Sequence, residues 1–345
     1  MTTTPATAAT LYGPGDLRLV ARDLGPLAPG FVRLRFGAGG ICGSDMHYFR
    51  HARIGDFIAT SPLVLGHEVA GIVEAVGPGV TGIAPGTRVA VNPSRWCGSC
   101  PRCREGRRNL CENIYFMGSA SKTPHMQGGF STRFDATPAQ CVPVPDHVPM
   151  EAAALAEPLA VCLHAVNRAR VSGRSVAIIG AGPIGLLTLL AARIKGAAAT
   201  TMLDIAAAPL AFAGRLGADR VVDLSAGPAA LAEGPAPDVV IECSGAPAAL
   251  TTAIGWVRRG GTVVLVGSLP AGPTGAPMNP VMAKEIDLLG SFRFDDEFAE
   301  AVALISAGTL DVLSIVTGTR PLAEVTDAFA LALDRSESVK VVLTA

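Results

Sequence analysis

The sequence predicts an α/β protein in two parts, an antiparallel, barrel-like β-domain followed by a doubly wound parallel sheet of six strands, and three observations predict it. From about residue 18 to 145, short alternating strands are broken by Gly and Pro, with "FVRLRFGAGG", "EVAGIVEAVG" and "GTRVAVNP" the clearest. From "HVPMEAAALAEPLAVCLHAV" the period turns helical, and six strands then alternate with helices: "SVAIIG", "TTMLD", "DRVVDL", "DVVIECSG", "GTVVLVG" and "IDLLGSF". At 345 residues the chain exceeds what a single core usually fills, so two cores are expected.

The chain then continues with "DEFAEAVALISAG", a helix with Gly308 near its end, and closes on "SVKVVLTA", a strand. That strand has no place in the parallel sheet, so the terminus is expected to return to the first part. The expected boundaries are 1–150, 151–290 and a returning segment 291–345. Ser175 to Ala192 runs without a charge, long enough to raise the question of a membrane span. Its three Gly and one Pro, between a strand-like and a helix-like half, read instead as a buried strand, turn and helix.

The formal net charge is −1, which provides no field to hold phosphate backbones or anionic lipid, so neither nucleic acid nor membrane is an expected partner. The N-terminus has no basic region ahead of an apolar core, and a cytoplasmic location is the default.

"VAIIGAGPIG" places Gly180, Gly182 and Gly185 in G-x-G-x-x-G spacing between an apolar strand and a helix, with Pro183 and Ile184 inside the turn. Such glycines permit a tight turn and the approach of a pyrophosphate to the helix N-terminus. The next strand ends in Asp204, where a carboxylate would accept hydrogen bonds from the adenosine ribose. It would repel a 2′-phosphate, and "IAAAPL" after it has no Arg or Lys, so NAD is favoured over NADP. A glycine-rich turn that binds nothing is the alternative, and the order strand, turn, helix, strand, acid argues against it. "ECSG", with Ser244, and "VGS", Val266, Gly267 and Ser268, end later strands of the sheet, and their backbones are expected to face the dinucleotide.

"CGSCPRCREGRRNLC" crowds Cys97, Cys100, Cys103 and Cys111 into fifteen residues. Four thiolates close a tetrahedral zinc shell with no open position, the arrangement of a structural site. An iron-sulfur cluster would lack an electron-transfer partner here. A zinc ribbon for nucleic acid is suggested by Arg95, Arg102, Arg104, Arg107 and Arg108, but a solvated basic loop suits the neutral balance better.

In "ICGSDMHYF", Cys42, Ser44, Asp45, His47 and Tyr48 bring more reactive chemistry than a loop needs. Downstream, "LGHEVAGIVEAVGPGV" carries His67 and Glu68. Cys42, His67 and Glu68 make an open shell for a catalytic zinc with a position left for water or substrate. A lone His in a strand is usually structural, and its neighbours lower that reading without removing it.

At this point the chain resembles a known family. "GHEVAGIVEAVGPGV" fits the zinc alcohol dehydrogenase signature, and "CGSD", the four-cysteine lobe and "GAGPIG" follow in the order of the medium-chain dehydrogenases. The resemblance spans nearly the whole chain. It implies a GroES-like catalytic domain, a Rossmann domain, two zinc ions per chain, and a homodimer or homotetramer. "AEPLAVCLHA" resembles the polyol dehydrogenase branch, which puts Glu157 at the catalytic zinc, directly or through the bound water; whether Glu68 or Glu157 ligates is left open. "VNPSRWCGSCPRC", "FMGSASKTPHMQGGFS" and "GSFRFDDEF" look like the L-idonate 5-dehydrogenase subgroup, which interconverts L-idonate and 5-keto-D-gluconate.

The resemblance further implies Ser44 and His47 as a proton relay and Tyr48, Phe116, Glu157 and Arg293 as contacts for a sugar acid or polyol. It also implies that the backbone at Ser291 and Phe292 meets the nicotinamide. Asp45 is expected to shape its loop through backbone N–H groups. His125 is read as a substrate-loop contact or a surface His. The alternatives in function are a sorbitol or xylitol dehydrogenase and a non-catalytic zinc and nucleotide-binding protein.

Overall fold

A computed structural model describes residues 4–345, apart from the side chains at 232 and 233. The chain forms two compact units, Met1–Glu157 together with Phe298–Ala345, and Pro158–Glu297.

The first unit opens on a hairpin, β1 (Thr4–Gly13) and β2 (Asp16–Leu24), extended by Leu63–Val64 into a three-stranded sheet. β3 (Val32–Gly40) leads into α1 (Gly43–His51) and is followed by β4 (Glu68–Val76), β5 (Arg88–Val91), β6 (Arg133–Ala136) and β7 (Cys141–Pro143). These strands alternate Val, Leu, Ile and Ala with polar or small residues, the pattern of a pleated sheet whose inner face fills a core.

Helix α1 is short and polar, so its ends matter more than its propensity. Asp45 accepts a hydrogen bond from the Cys42 amide at 3.0 Å and closes the start. Ala52, left-handed at φ 49°, stops it by donating its amide to the Tyr48 carbonyl at 2.7 Å. α2 (Met150–Ala154) and α3 (Ala156–Ala169) complete the helical stretch read from the sequence.

In the second unit β8 (Ser175–Ile179), α4 (Pro183–Ile194), β9 (Ala199–Asp204) and α5 (Ala207–Arg215) alternate. They are followed by β10 (Arg220–Asp223), β11 (Val239–Glu242), α6 (Pro247–Trp256), β12 (Thr262–Leu265) and β13 (Asp287–Gly290). All six strands are parallel in the order β10-β9-β8-β11-β12-β13, so the first strand of the unit lies at the centre and the connections wind outward both ways. Ala177, Ile179, Leu203, Val240 and Val263 pack against Leu250, Ala253 and Ile254 of α6, which is why the inner strands are apolar throughout.

After α7 (Glu297–Ser306), β14 (Val316–Pro321), α8 (Val325–Leu333) and β15 (Lys340–Thr344) belong to the first unit. β15 runs antiparallel to β3, with Val342 opposite Gly40, in a sheet ordered β7-β5-β4-β3-β15-β14, and β6 also pairs with β3. Val341, Leu343 and Phe329 share one core with Leu34, Phe36, Val69 and Phe130, so the last strand is part of the first unit's interior. No helix among the described residues is long and apolar enough to cross a membrane.

Candidate active site

Two groups of donors stand out, both in the first unit. The sulfurs of Cys97, Cys100, Cys103 and Cys111 lie within 4.8 Å of one another. Four sulfurs around one zinc would be separated by about 3.8 Å, so the set fits a closed tetrahedral shell. The lobe is arranged for thiolates: the amides of Cys97 and Asn113 donate to the Cys111 sulfur and that of Cys100 to the Cys97 sulfur. Donors from Ser99 and Cys100 hold the Cys97 thiol at about 5, while burial pushes Cys103 up to about 12; a dication favours the deprotonated form of both. Three of the five arginines around this lobe have internal partners. Arg95 stacks over Tyr115 at 4.0 Å, Arg108 over Trp96 at 4.7 Å, and Arg102 pairs with Glu105 at 2.7 Å.

The second group is Cys42, His67 and Glu68, again within 4.8 Å of one another. Cys42 stands at the head of α1, and His67 and Glu68 at the start of β4. Asp45 binds both pieces: it accepts from the Cys42 amide and, at 3.2 Å, from the Gly66 amide, and its Oδ1 lies 3.6 Å from His67 Nδ1. The Asp45 carboxylate facing Nδ1 favours a proton there, and Nε2 lies on the other side of the ring, 3.4 Å from Ser44 Oγ. Burial disfavours charge on His67, yet Asp45 and the Cys42 sulfur raise its proton affinity well above the ordinary 6.5. The pocket therefore favours positive charge at Nε2, whether proton or metal.

Glu68 has a partner the sequence reading missed. Lys340, from β15, donates to Glu68 Oε1 at 2.8 Å and to the Ile41 carbonyl at 2.9 Å, and both side chains are nearly sealed from solvent, at 2% and 1% exposure. Burial alone would lower the Lys340 pKa, but Glu68 and Cys42 raise it, so the ammonium stays charged. Glu68 Oε2 lies 2.6 Å from the same nitrogen without hydrogen-bond geometry, which leaves one buried carboxylate oxygen unsatisfied. A cysteine sulfur, an imidazole nitrogen and a carboxylate oxygen without a hydrogen bond in one pocket fit a divalent cation of the zinc type. The signal for Lys340 was a lone cation in the apolar strand "SVKVVLTA", since a charge placed among buried neighbours requires a counter-charge.

The remaining expected residues are placed unequally. Phe116 lies with its ring centroid 5.6 Å from that of His67. Tyr48 is buried, and its hydroxyl accepts the Ala120 amide at 2.9 Å while keeping its own proton free to donate. Glu157 is buried at the head of α3, outside the three donors that cluster. His47 is exposed, one turn along α1 from Ser44, with its ring 6.1 Å from that of His51. His125 is not a surface residue. It is buried, with Nε2 accepting the Thr60 amide at 2.9 Å and Nδ1 2.9 Å from the Lys122 carbonyl, so it fastens two loops together.

The second unit carries the dinucleotide crevice at the carboxyl end of β8. Gly182 precedes α4, and a Cβ on Gly185 would overlap the Gly180 carbonyl oxygen, so the turn can close only with glycine there. Asp204 ties the next strand to this turn by accepting the Ala181 amide at 2.6 Å and the amides of Ile205 and Ala206 at 2.7 and 3.0 Å. Glu242, buried and quoted in the sequence reading only as part of "ECSG" with no role for its side chain, accepts the amides of Ser244 and Gly245 and holds the turn in shape. Ser291 continues β13, its amide bonded to the Leu265 carbonyl at 2.9 Å. Arg293 belongs to this unit and stacks over Phe292 at 4.8 Å.

A family model described as an alcohol dehydrogenase GroES-like domain matches residues 28–146, and another described as a zinc-binding dehydrogenase matches residues 183–307. The chain is 38% identical to sorbitol dehydrogenase of Gallus gallus, over 97% of this chain and 95% of that one. It is 36% identical to L-idonate 5-dehydrogenase of Vitis vinifera, over 97% and 93%. The crystal structure of L-idonate 5-dehydrogenase from Escherichia coli superposes with a TM-score of 0.94 at 33% identity, over 100% of this chain and 99% of that one.

Replacing Lys340 by Met leaves the Glu68 charge buried and unpaired. The metal-free protein should lose about 3–5 kcal/mol of stability, as breaking one side of a buried pair does. Added zinc should restore part of it by taking the place of the ammonium. Thermal melts with and without zinc check this, and a zinc-independent loss would mean that the metal and Lys340 do not share Glu68.

Proposed function

The chain belongs to the zinc-binding alcohol and polyol dehydrogenase family, and within it we propose that it oxidises a secondary alcohol of a sugar acid, L-idonate, to 5-keto-D-gluconate with NAD. The observation that carries the reading is the donor set Cys42, His67 and Glu68 with Ser44 Oγ 3.4 Å from the free ring nitrogen of His67. A proton acceptor thus stands beside the point where a hydroxyl would meet the cation.

When bound, zinc supplies a Lewis acid at the substrate hydroxyl and NAD the hydride acceptor. Cys42 and His67 hold the cation, with Glu68 or Glu157 completing the shell directly or through water. Ser44 takes the hydroxyl proton and passes it along α1 to His47. Burial first, and then the charges of His51, Arg50 and Arg335, lower the proton affinity of His47, so its imidazole is neutral at pH 7 and free to act as base. Tyr48, Phe116 and Glu157 hold the substrate in the first unit; Arg293, which the resemblance makes a further contact, carries a guanidinium of the kind that forks onto a carboxylate. Gly180, Gly182 and Gly185 give the pyrophosphate its turn, and Asp204 takes the ribose hydroxyls and disfavours a 2′-phosphate.

A neutral polyol, sorbitol or xylitol, is the second reading, favoured by the 38% identity to a sorbitol dehydrogenase. Measuring NADH formation with L-idonate, sorbitol and xylitol side by side, and repeating with NADP, separates the two. The highest kcat/KM is expected with L-idonate and NAD; no turnover of L-idonate with rapid oxidation of sorbitol would replace the first reading by the second.

His47→Gln should lower the oxidation rate at pH 7 by about a hundredfold, the usual scale for a lost proton acceptor. In the wild type the rate should rise with pH through a value below 6.5, because the base must be deprotonated. Arg335→Gln removes one of the charges that depress His47 and should move that limb upward; an unmoved limb would assign it to another group.

A further inference from the structure

The second unit contains a cavity of about 870 Å³ that the dehydrogenase reaction does not use. Its wall includes Arg168, Arg170, Arg174 and Arg258, with only Asp287 and Glu297 as carboxylates. Arg174 directly precedes β8, Thr262 is the first residue of β12 and Asp287 the first of β13, so the cavity lies at the amino ends of the parallel strands. The glycine turn and Asp204 lie at the carboxyl ends. Strands of five residues separate the two places by about 16 Å, so the cavity is distinct from the dinucleotide crevice.

The charges in this wall are unevenly matched. Glu297 is committed to His164 at 3.0 Å and Asn167 at 3.2 Å, and it stays ionised, at about 2, because those bonds outweigh its burial. Arg174 binds only neutral acceptors, the carbonyls of Ala169 and Asp238 and the Thr262 hydroxyl. Arg258 shares Asp238, which lies outside the lining. Among the described residues the side chains of Arg168 and Arg170 have neither an ion pair nor a hydrogen bond, and Arg168 Nε is buried without a partner. A basic residue in the last turn of α3 is what the helix dipole favours, and that explains Arg168 by itself. It does not explain the convergence of Arg174 and Arg258 from other elements, nor Arg170 held in the left-handed region at φ 52°.

We propose that this cavity binds a small anion with at least two neighbouring negative charges, a pyrophosphate either free or as the tail of a nucleotide. Even with Arg258 paired to Asp238 and Glu297 held by His164, Arg168 and Arg170 remain without an ion pair among the described residues, so the wall offers positive charge that a bound anion would neutralise. The planar forks of Arg168 and Arg170 match adjacent phosphoryl oxygens, and the volume admits a nucleotide-sized molecule. The inference is independent of which alcohol the enzyme oxidises.

The test is calorimetric titration of the full-length, NAD-saturated protein with pyrophosphate and, separately, with ADP. One molecule per chain should bind. The double variant Arg168→Gln and Arg170→Gln should weaken binding by about tenfold or more, the scale of lost charge-assisted bonds, with the KM for NAD unchanged. Equal affinity for the two ligands identifies a site for the free anion, and tighter ADP a site for the nucleotide tail. If the Gln pair does not fold, Arg168→Lys with Arg170→Lys keeps the charge, loses the forks and should still weaken binding. Absence of binding in the NAD-saturated protein overturns the proposal, as does binding that neither pair of variants alters. A variant that shifts the sedimentation of the protein without affecting anion binding would assign the cavity to contact with a second copy and would equally overturn it.

Discussion

The contact between Lys340 and Glu68 sets the geometry of the first unit. An ammonium and a carboxylate, both sealed from water, face each other as counter-charges, and the Ile41 carbonyl accepts a further hydrogen bond from the lysine. Gly40 makes room for the pair, since a Cβ there would overlap the Glu68 carboxylate and crowd the Lys340 stem. Three strands meet at this point: β3 through Gly40, β4 through Glu68 and β15 through Lys340. The loop that carries Cys42 leaves from the same place, so the distances among the three donors are inherited from a buried charge pair.

Asp45 extends that order to the other donors. One carboxylate starts α1, restrains the Gly66 amide and faces the His67 ring, so the helix start and the imidazole orientation are one arrangement. Ser44 and His47 lie on the same helix, one turn apart, with Ser44 at the imidazole and His47 in solvent.

Much of this was legible in the sequence wherever the determining contact is local. Alternating strands, the glycine turn and the four cysteines are set by neighbours a few residues apart, whereas α1 lies in a stretch read as a loop and the order of the parallel sheet, which pairs Val176 with Val239, was not read at all. The unread parts depend on distant partners. Lys340 finds Glu68 across 272 positions, Arg95 stacks on Tyr115 across a loop, and His125 reaches Thr60. Glu242 was read only for its backbone in "ECSG", whereas its side-chain oxygens organise the amides that follow it. Periodicity reports which face of an element is buried; it does not report which buried polar group will answer another.

The same difference in range separates the two clusters of metal-binding side chains as the polypeptide emerges from the ribosome. Cys97 and Cys111 are 14 positions apart, and closing so short a loop costs about 3 kcal/mol less chain entropy than joining Glu68 to Lys340 over 272. The cysteine lobe can take up its ion while most of the chain is still unmade. The reactive cluster keeps an unmatched carboxylate until β15 has been made, 272 residues after Glu68, so its final form is withheld from the early nascent chain.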